Sequence, residues 1–241
     1  MKKLTAIVSL VLLSGLNANA CPFCNRQIME GIYNSSFYPN LAIMLLAFIV
    51  LAIIIAVLTF LSVRSHRKIA AGQSYSGRLL TPVPLTTSAL VLGIGLGGFA
   101  DGIFLHQIFQ AHEMLSNKVP ATEYIGKSIN MFWDGIFHFF CLVTVIIGTV
   151  LLWKTIKRKD TDHSGNLLAG GLLAGWGLFN IVEGIIDHHL LKLHNVIELS
   201  ANHAVGNYTF LALSVLLLAI GYLLISKRKS RTINPNQSFF S

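Results

Sequence analysis

The sequence predicts an all-α fold: an integral membrane helical bundle of five transmembrane helices after a cleaved signal peptide, with an internal two-helix repeat at an offset of 82. Three observations predict it. The chain is 54% hydrophobic and only 12% charged, and its long apolar runs reach the roughly 18 residues needed to cross about 30 Å of hydrocarbon as helix. Its basic residues collect in alternate loops. One stretch of acid, glycine and histidine occurs twice without a gap. A helical bundle is the form to expect, because lipid supplies no partner for unpaired backbone groups. A soluble domain is excluded.

The first element is the leader. "MKKLTAIVSLVLLSGLNANA", residues 1–20, has a basic start, a short apolar core and a small-x-small ending at Ala18-Asn19-Ala20. That pattern reads as a secretory signal peptide. Simple cleavage is favoured over acylation of Cys21, because Ala18 stands where a lipoprotein signal usually has leucine.

Five spans follow, at about 40–63, 85–110, 131–153, 167–191 and 207–225. The predicted organisation is a periplasmic Cys-Pro-Phe-Cys segment with the first span (21–63), a cytoplasmic linker (64–84), a four-helix membrane domain (85–226) and a basic tail (227–241). With the mature N-terminus outside, Arg64, Arg67, Lys68, Arg78, Lys154, Lys157, Arg158, Lys159, Lys227, Arg228, Lys229 and Arg231 all lie inside. Only Arg26, Lys118, Lys127 and Lys192 lie outside. The positive-inside rule is met by every loop. The formal charge of +8 is therefore a topology signal for a bacterial inner-membrane protein, and no nucleic-acid partner is needed to explain it. The expected partner is the lipid bilayer. No oligomeric state follows from the sequence.

Acids and histidines sort the opposite way. Of ten acids only Asp160 and Asp162 fall inside, and of nine histidines only His66 and His163. The rest gather in the outer half, which predicts a site opening to the outer face.

The repeat carries that site. "ADGIFLHQIFQAH" (100–112) aligns with "VEGIIDHHLLKLH" (182–194), so that Asp101 matches Glu183, His106 matches His188 and His112 matches His194. A partial third copy, "WDGIFH", holds Asp134 and His138. Matching functional groups in internal repeats are a known membrane-protein design. On an ideal helix Asp134 and His138 share a face, as do Asn180, Glu183 and Asp187. Eleven residues make close to three turns, which puts Asp101 with His112 and Glu183 with His194 on common stripes. His106 and His188, five from their acids, point roughly 140° away from them. Each must face another neighbour, or the helix must distort.

Buried ionisable groups in a span cost on the order of 3 kcal/mol or more and mark function by default. Imidazole mixed with carboxylate suits zinc, iron or copper(II). The candidate metal ligands are Asp101, His106, His112, Asp134, His138, Glu183, Asp187, His188, His189 and His194, with His203 closing the site from the last span. A bis-imidazole haem is the weaker alternative, since no porphyrin pocket is legible. Cys21 and Cys24, outside the membrane, read as an accessory thiol pair able to take copper(I), or as a small disulfide loop.

With these residues in hand, the chain from about 85 to 224 resembles a bacterial multi-pass membrane family known only as domain of unknown function 2243. "GIGLGGFADGIFLHQIFQAHEMLS", "DGIFHFF" and "GWGLFNIVEGIIDHHLLKLHNV" carry the likeness. The resemblance implies a four-span module and an association with copper handling and cytochrome oxidase assembly. Residues 21–61 depart from the family layout and resemble small one-span proteins that begin Cys-Pro-x-Cys, so the chain reads as a fusion.

The leading expectation is an inner-membrane metal-binding protein, copper first and zinc or iron next, acting in metal handling or respiratory oxidase assembly. A periplasmic metal donor or an oxidase subunit would be its partner. The alternative is a metal-dependent intramembrane hydrolase with Glu183 or Asp187 as general base on metal-bound water. A proton-coupled carrier ranks third, because spans three and four are apolar towards the basic end.

Overall fold

The computed structural model describes residues 25–70 and 80–228. The signal peptide, Cys21 and Cys24, Arg78 in the linker, and Lys229 and Arg231 in the tail lie outside the described residues. Among the described residues six α-helices run in chain order: α1 (Arg26–Ile32), α2 (Phe37–Ala70), α3 (Val83–Asp101), α4 (Tyr124–Ile156), α5 (Gly165–Glu183) and α6 (His203–Ser226). No strand occurs among the described residues; a single parallel bridge joins Thr81 to Thr161. Among the described residues five helices are long and apolar enough to cross a membrane: Phe37–Lys68, Val83–Ile108, Tyr124–Ile156, Gly165–Leu190 and His203–Ser226.

The expected spans are all present with shifted ends. α2 runs on to Ala70 through Arg67 and Lys68, so the linker expected from 64 begins later. Cations suit the carbonyl end of a helix, where the dipole is negative. α4 starts at Tyr124, well before the expected 131, because its polar first turns continue the helix beyond the apolar run.

α3 and α5 form the centre. They pack on each other; α4 covers α3, α6 covers α5, and α2 lies more lightly against both central helices. Small residues make this possible. A side-chain carbon on Gly93 would strike the backbone carbonyl of Leu172, and one on Gly175 would strike that of Leu90. The helices thus touch backbone to backbone, as small-residue seams allow in lipid. Gly95 receives α4 at the Val145 amide, 2.8 Å from its would-be Cβ, and Gly177 receives α6 at the Leu218 amide, 2.6 Å away.

The outer helices keep one face for the bundle and one for lipid. α2 buries Met44, Ala47, Leu51 and Ile55, three or four residues apart, while Ile49, Ile53, Val57 and Phe60 stay exposed. Phe48 reaches inward to the rings of Phe137, Phe140 and Phe179. α1 lies across the acid-and-histidine end: its N-cap Asn25 accepts from the amides of Gln27 and Ile28, and its buried Ile28 and Ile32 join the same core as Ile129 and Trp133. At the opposite, basic end, the chains leading into α3 and α5 are tied together. Thr81 donates its amide to Asp160 at 2.8 Å and accepts from the Asp162 amide at 2.9 Å.

Candidate metal centre

Both central helices change pitch where the chemistry begins. α3 continues as a π-helix over Gly102–Ile108 and α5 as a π-helix over Gly184–Leu190. A π-helix pairs residues five apart. That resolves the angular problem of the two five-residue spacings by distortion: Asp101 Oδ2 meets His106 Nε2 at 3.1 Å, and Glu183 Oε1 meets His188 Nε2 at 2.8 Å. His106 also finds another neighbour, since its Nδ1 lies 2.9 Å from Asp134 Oδ1 on α4.

Both π-helices then stop in the same way. Gln110 and Lys192 take left-handed backbone angles, φ 49° and 50°. The amide of Ala111 reaches the carbonyl of Leu105 at 2.8 Å, and that of Leu193 reaches Asp187 at 2.7 Å. This bond, one residue wider than the six-to-one bond that closes an α-helix, follows a left-handed residue and reverses the chain. The reversal carries His112 and His194 back over the helix ends as loop residues. The helical stripe expected to pair each with its acid therefore does not exist. Glu183 and His194 still meet, at 3.1 Å, by way of the turn.

Backbone carbonyls hold the two loop histidines. His112 Nδ1 bonds Val196 O at 2.9 Å, and His194 Nδ1 bonds Met114 O at 3.0 Å. A carbonyl only accepts, so Nδ1 carries the hydrogen; Nε2 of His112 is left without a partner, and Nε2 of His194 faces Glu183. The two rings stack 4.5 Å apart and 3° from parallel. His106 lies 4.4 Å from His112 and His188 lies 4.7 Å from His194, ring centre to ring centre. All four imidazoles are buried, none more than 3% exposed. Burial and the neighbouring His194 and His106 hold the His112 imidazole well below the usual histidine range.

The loops are anchored by residues that give no metal-ligand signal. Asp134 accepts from the Met114 amide at 3.0 Å, Asn130 from the Leu115 amide at 2.9 Å, and Asn207 from the Val196 amide at 3.0 Å. Sequence reading missed Asn130 and Asn207, since amide side chains in a span suggest only satisfied polarity. The two carbonyl acceptors, Met114 and Val196, leave no mark in the sequence at all.

Two groups of three ligand atoms lie within 4.8 Å of one another: His106 with His112 and His194, and Glu183 with His188 and His194. The remaining expected ligands are placed differently. Asp101 and Asp134 brace His106. Asp187 is 2% exposed with an oxygen that has no partner. His138 Nε2 is buried and unpartnered, and its ring stacks on Phe99 at 5.9 Å, outside both triads. His189 packs on Tyr208 at 5.0 Å. His203 is exposed and bonds the Glu198 carbonyl at 3.0 Å; it does not close the centre. Cys141 is fully buried against Gly98, away from both triads. These buried imidazole and carboxylate groups could hold a metal ion.

No curated protein and no solved structure matches the chain. A family model described as predicted membrane protein (DUF2243) matches residues 88–228, which takes in α3 from residue 88 onward, α4 to α6, both π-helices and both loop histidines. By that match over more than half its length, the chain belongs to the DUF2243 family of predicted membrane proteins.

Proposed function

We propose that this multi-pass membrane protein holds a divalent transition metal in its buried imidazole–carboxylate cluster, at the outer side of a bacterial inner membrane, and serves in metal handling. One observation carries the reading. His194 is fixed with its hydrogen on Nδ1, yet its Nε2 sits 3.1 Å from a carboxylate oxygen of Glu183 in a closed interior. A lone pair facing a carboxylate oxygen is repulsive unless a cation lies between them. A proton on that nitrogen would serve as well, and metal analysis separates the two.

The surroundings favour the metal. Metal-bound histidines normally give their other nitrogen to a carbonyl or carboxylate, which fixes the ring. His112 and His194 do this with Val196 and Met114, and His106 with Asp134. Neither triad contains sulfur, so zinc, iron and copper(II) suit it, and copper(I) does not. The acidic side chains would bind and orient the ion, and burial would keep water from competing for it. The hydrolase reading requires an open coordination position beside a cleft. Ligands this deeply buried fit holding better than turnover. A periplasmic donor and an oxidase in assembly are the partners this reading predicts, and the Cys21–Cys24 pair would be the accessory thiol site.

The test is elemental analysis of the full chain purified in detergent, stripped, loaded with zinc or copper(II) and dialysed. The expected result is metal retained by the wild type and lost in His112→Ala/His194→Ala, with helical content unchanged. A wild-type protein that retains none is not a metal protein.

A further inference from the structure

We infer that the centre holds two divalent ions, one in each half of a pseudo-two-fold arrangement; this rests on the metal reading above. The halves are α3 with α4, and α5 with α6. Contacts in one recur in the other at fixed offsets. His112 to Val196 O and His194 to Met114 O are one bond and its mirror, because 112 + 82 = 194 and 114 + 82 = 196. The left-handed Gln110 and Lys192 are also 82 apart. So are Ser116 and Glu198, which bond each other at 2.7 Å where the halves meet.

The flanking helices repeat with an offset of 73. Gly148 of α4 lies against Leu92, and Gly221 of α6 against Ala174. Asp134 caps the Met114 amide, and Asn207 caps the Val196 amide.

Charge then sets the number of ions. The first half buries Asp101 and Asp134 with His106 and His112; its third buried acid, Glu113, is neutralised by Lys127 at 2.7 Å and is not counted with them. In the second half Asn207 replaces Asp134 and so removes one acid. Asp187, standing where the first half has Leu105, restores it. The second half thus buries Glu183 and Asp187 with His188 and His194. Two carboxylates per half match one divalent ion per half. Among the described residues no lysine or arginine pairs with these four acids; Lys127, at the start of α4, bonds Glu113 at 2.7 Å.

Unpartnered atoms mark both halves. They are Asp101 Oδ1 and His112 Nε2 in the first, and Glu183 Oε2, Asp187 Oδ1 and His188 Nδ1 in the second. Each belongs to a residue no more than 6% exposed. His194 has one free nitrogen, so it cannot serve both triads at once. Symmetry assigns it to Glu183 and His188, and leaves Asp101, His106 and His112 as the counterpart set.

The experiment is a cobalt(II) titration of the stripped full chain in detergent, with metal counted by elemental analysis and helicity followed by circular dichroism. Wild type should saturate at two ions per chain. Asp101→Asn/His106→Ala should keep one, and Glu183→Gln/His188→Ala should keep one. Saturation of the wild type at a single ion overturns the two-ion inference and leaves the metal reading standing. A helical double variant that loses both ions also overturns it. No ion at all overturns the metal reading itself. If neither variant folds, copper(II) loading of the wild type still decides: two neighbouring ions give a half-field electron paramagnetic resonance signal, and one ion gives none.

Discussion

The two halves of the bundle hold their loops by corresponding contacts and differ in which side chains supply the charge. In the first half, an acid on the flanking helix, Asp134, holds both the loop amide of Met114 and the Nδ1 of His106. In the second, the neutral Asn207 takes the corresponding amide of Val196 and bonds onward to Asn195 at 3.1 Å. His188 accordingly has a carboxylate on one side only, at 2.8 Å. The missing acid reappears within the π-helix as Asp187. Leaving aside Glu113, which Lys127 neutralises, each half buries two acids at different positions, which points to the charge, not the individual position, as what the centre needs.

The halves should be equivalent where backbone meets backbone. Gly175→Leu is expected to destabilise the bundle by about 3 kcal/mol, the upper end for overpacking, since its side chain would meet the Leu90 carbonyl. Gly93→Leu should match it. Thermal unfolding in detergent measures both, and a large difference between them would break the comparison. Asn207→Leu strands a buried amide at Val196 and should cost about 1–3 kcal/mol in the same assay.

Asp134→Asn makes the first half imitate the second. It keeps an acceptor for Met114 but withdraws the negative charge behind His106. Metal affinity should fall about 10–100-fold, read by competition with a chelator, while the unfolding midpoint moves little. Gly135, on an open face of α4 with nothing within 4 Å of a would-be Cβ, is the control. Gly135→Ala should gain about 0.5–1 kcal/mol of helix propensity and leave metal binding untouched.

The last expectation concerns pH. His112 is held neutral by burial and by its neighbouring imidazoles, below the usual value of about 6.5. The unfolded chain therefore takes up this proton first. The stability linked to His112 is full above about pH 6.5 and is lost progressively as pH falls towards the depressed folded value. In the metal-free protein, the ring nitrogen shifts of His112 should report a neutral imidazole at pH 5.5. A charged ring there would mean that burial and the neighbouring imidazoles do not hold it neutral.

Much of this was legible before any coordinates. The five spans were readable because apolar length is local, and the repeat because Asp101, His106 and His112 recur as Glu183, His188 and His194 at one offset. His203 and His138 were readable as candidates only, since residue type and span position do not say what a ring faces. His203 is exposed on a carbonyl and His138 stacks on Phe99.

What the sequence determined by itself is the membrane bundle and the recurrence of acid and histidine at one offset. Hydrophobic length and repeated residue type are properties of the chain read along itself. What only the tertiary structure decided is how those groups meet. The π-helices that turn His106 onto Asp101 and His188 onto Glu183 contradict the ideal 3.6-residue turn. The carbonyls of Met114 and Val196, each reaching across to the other half, choose the free nitrogen of His194 and His112. Every residue carries a carbonyl, so no sequence can show which one will hold a ring; only the folding of one half against the other makes that choice.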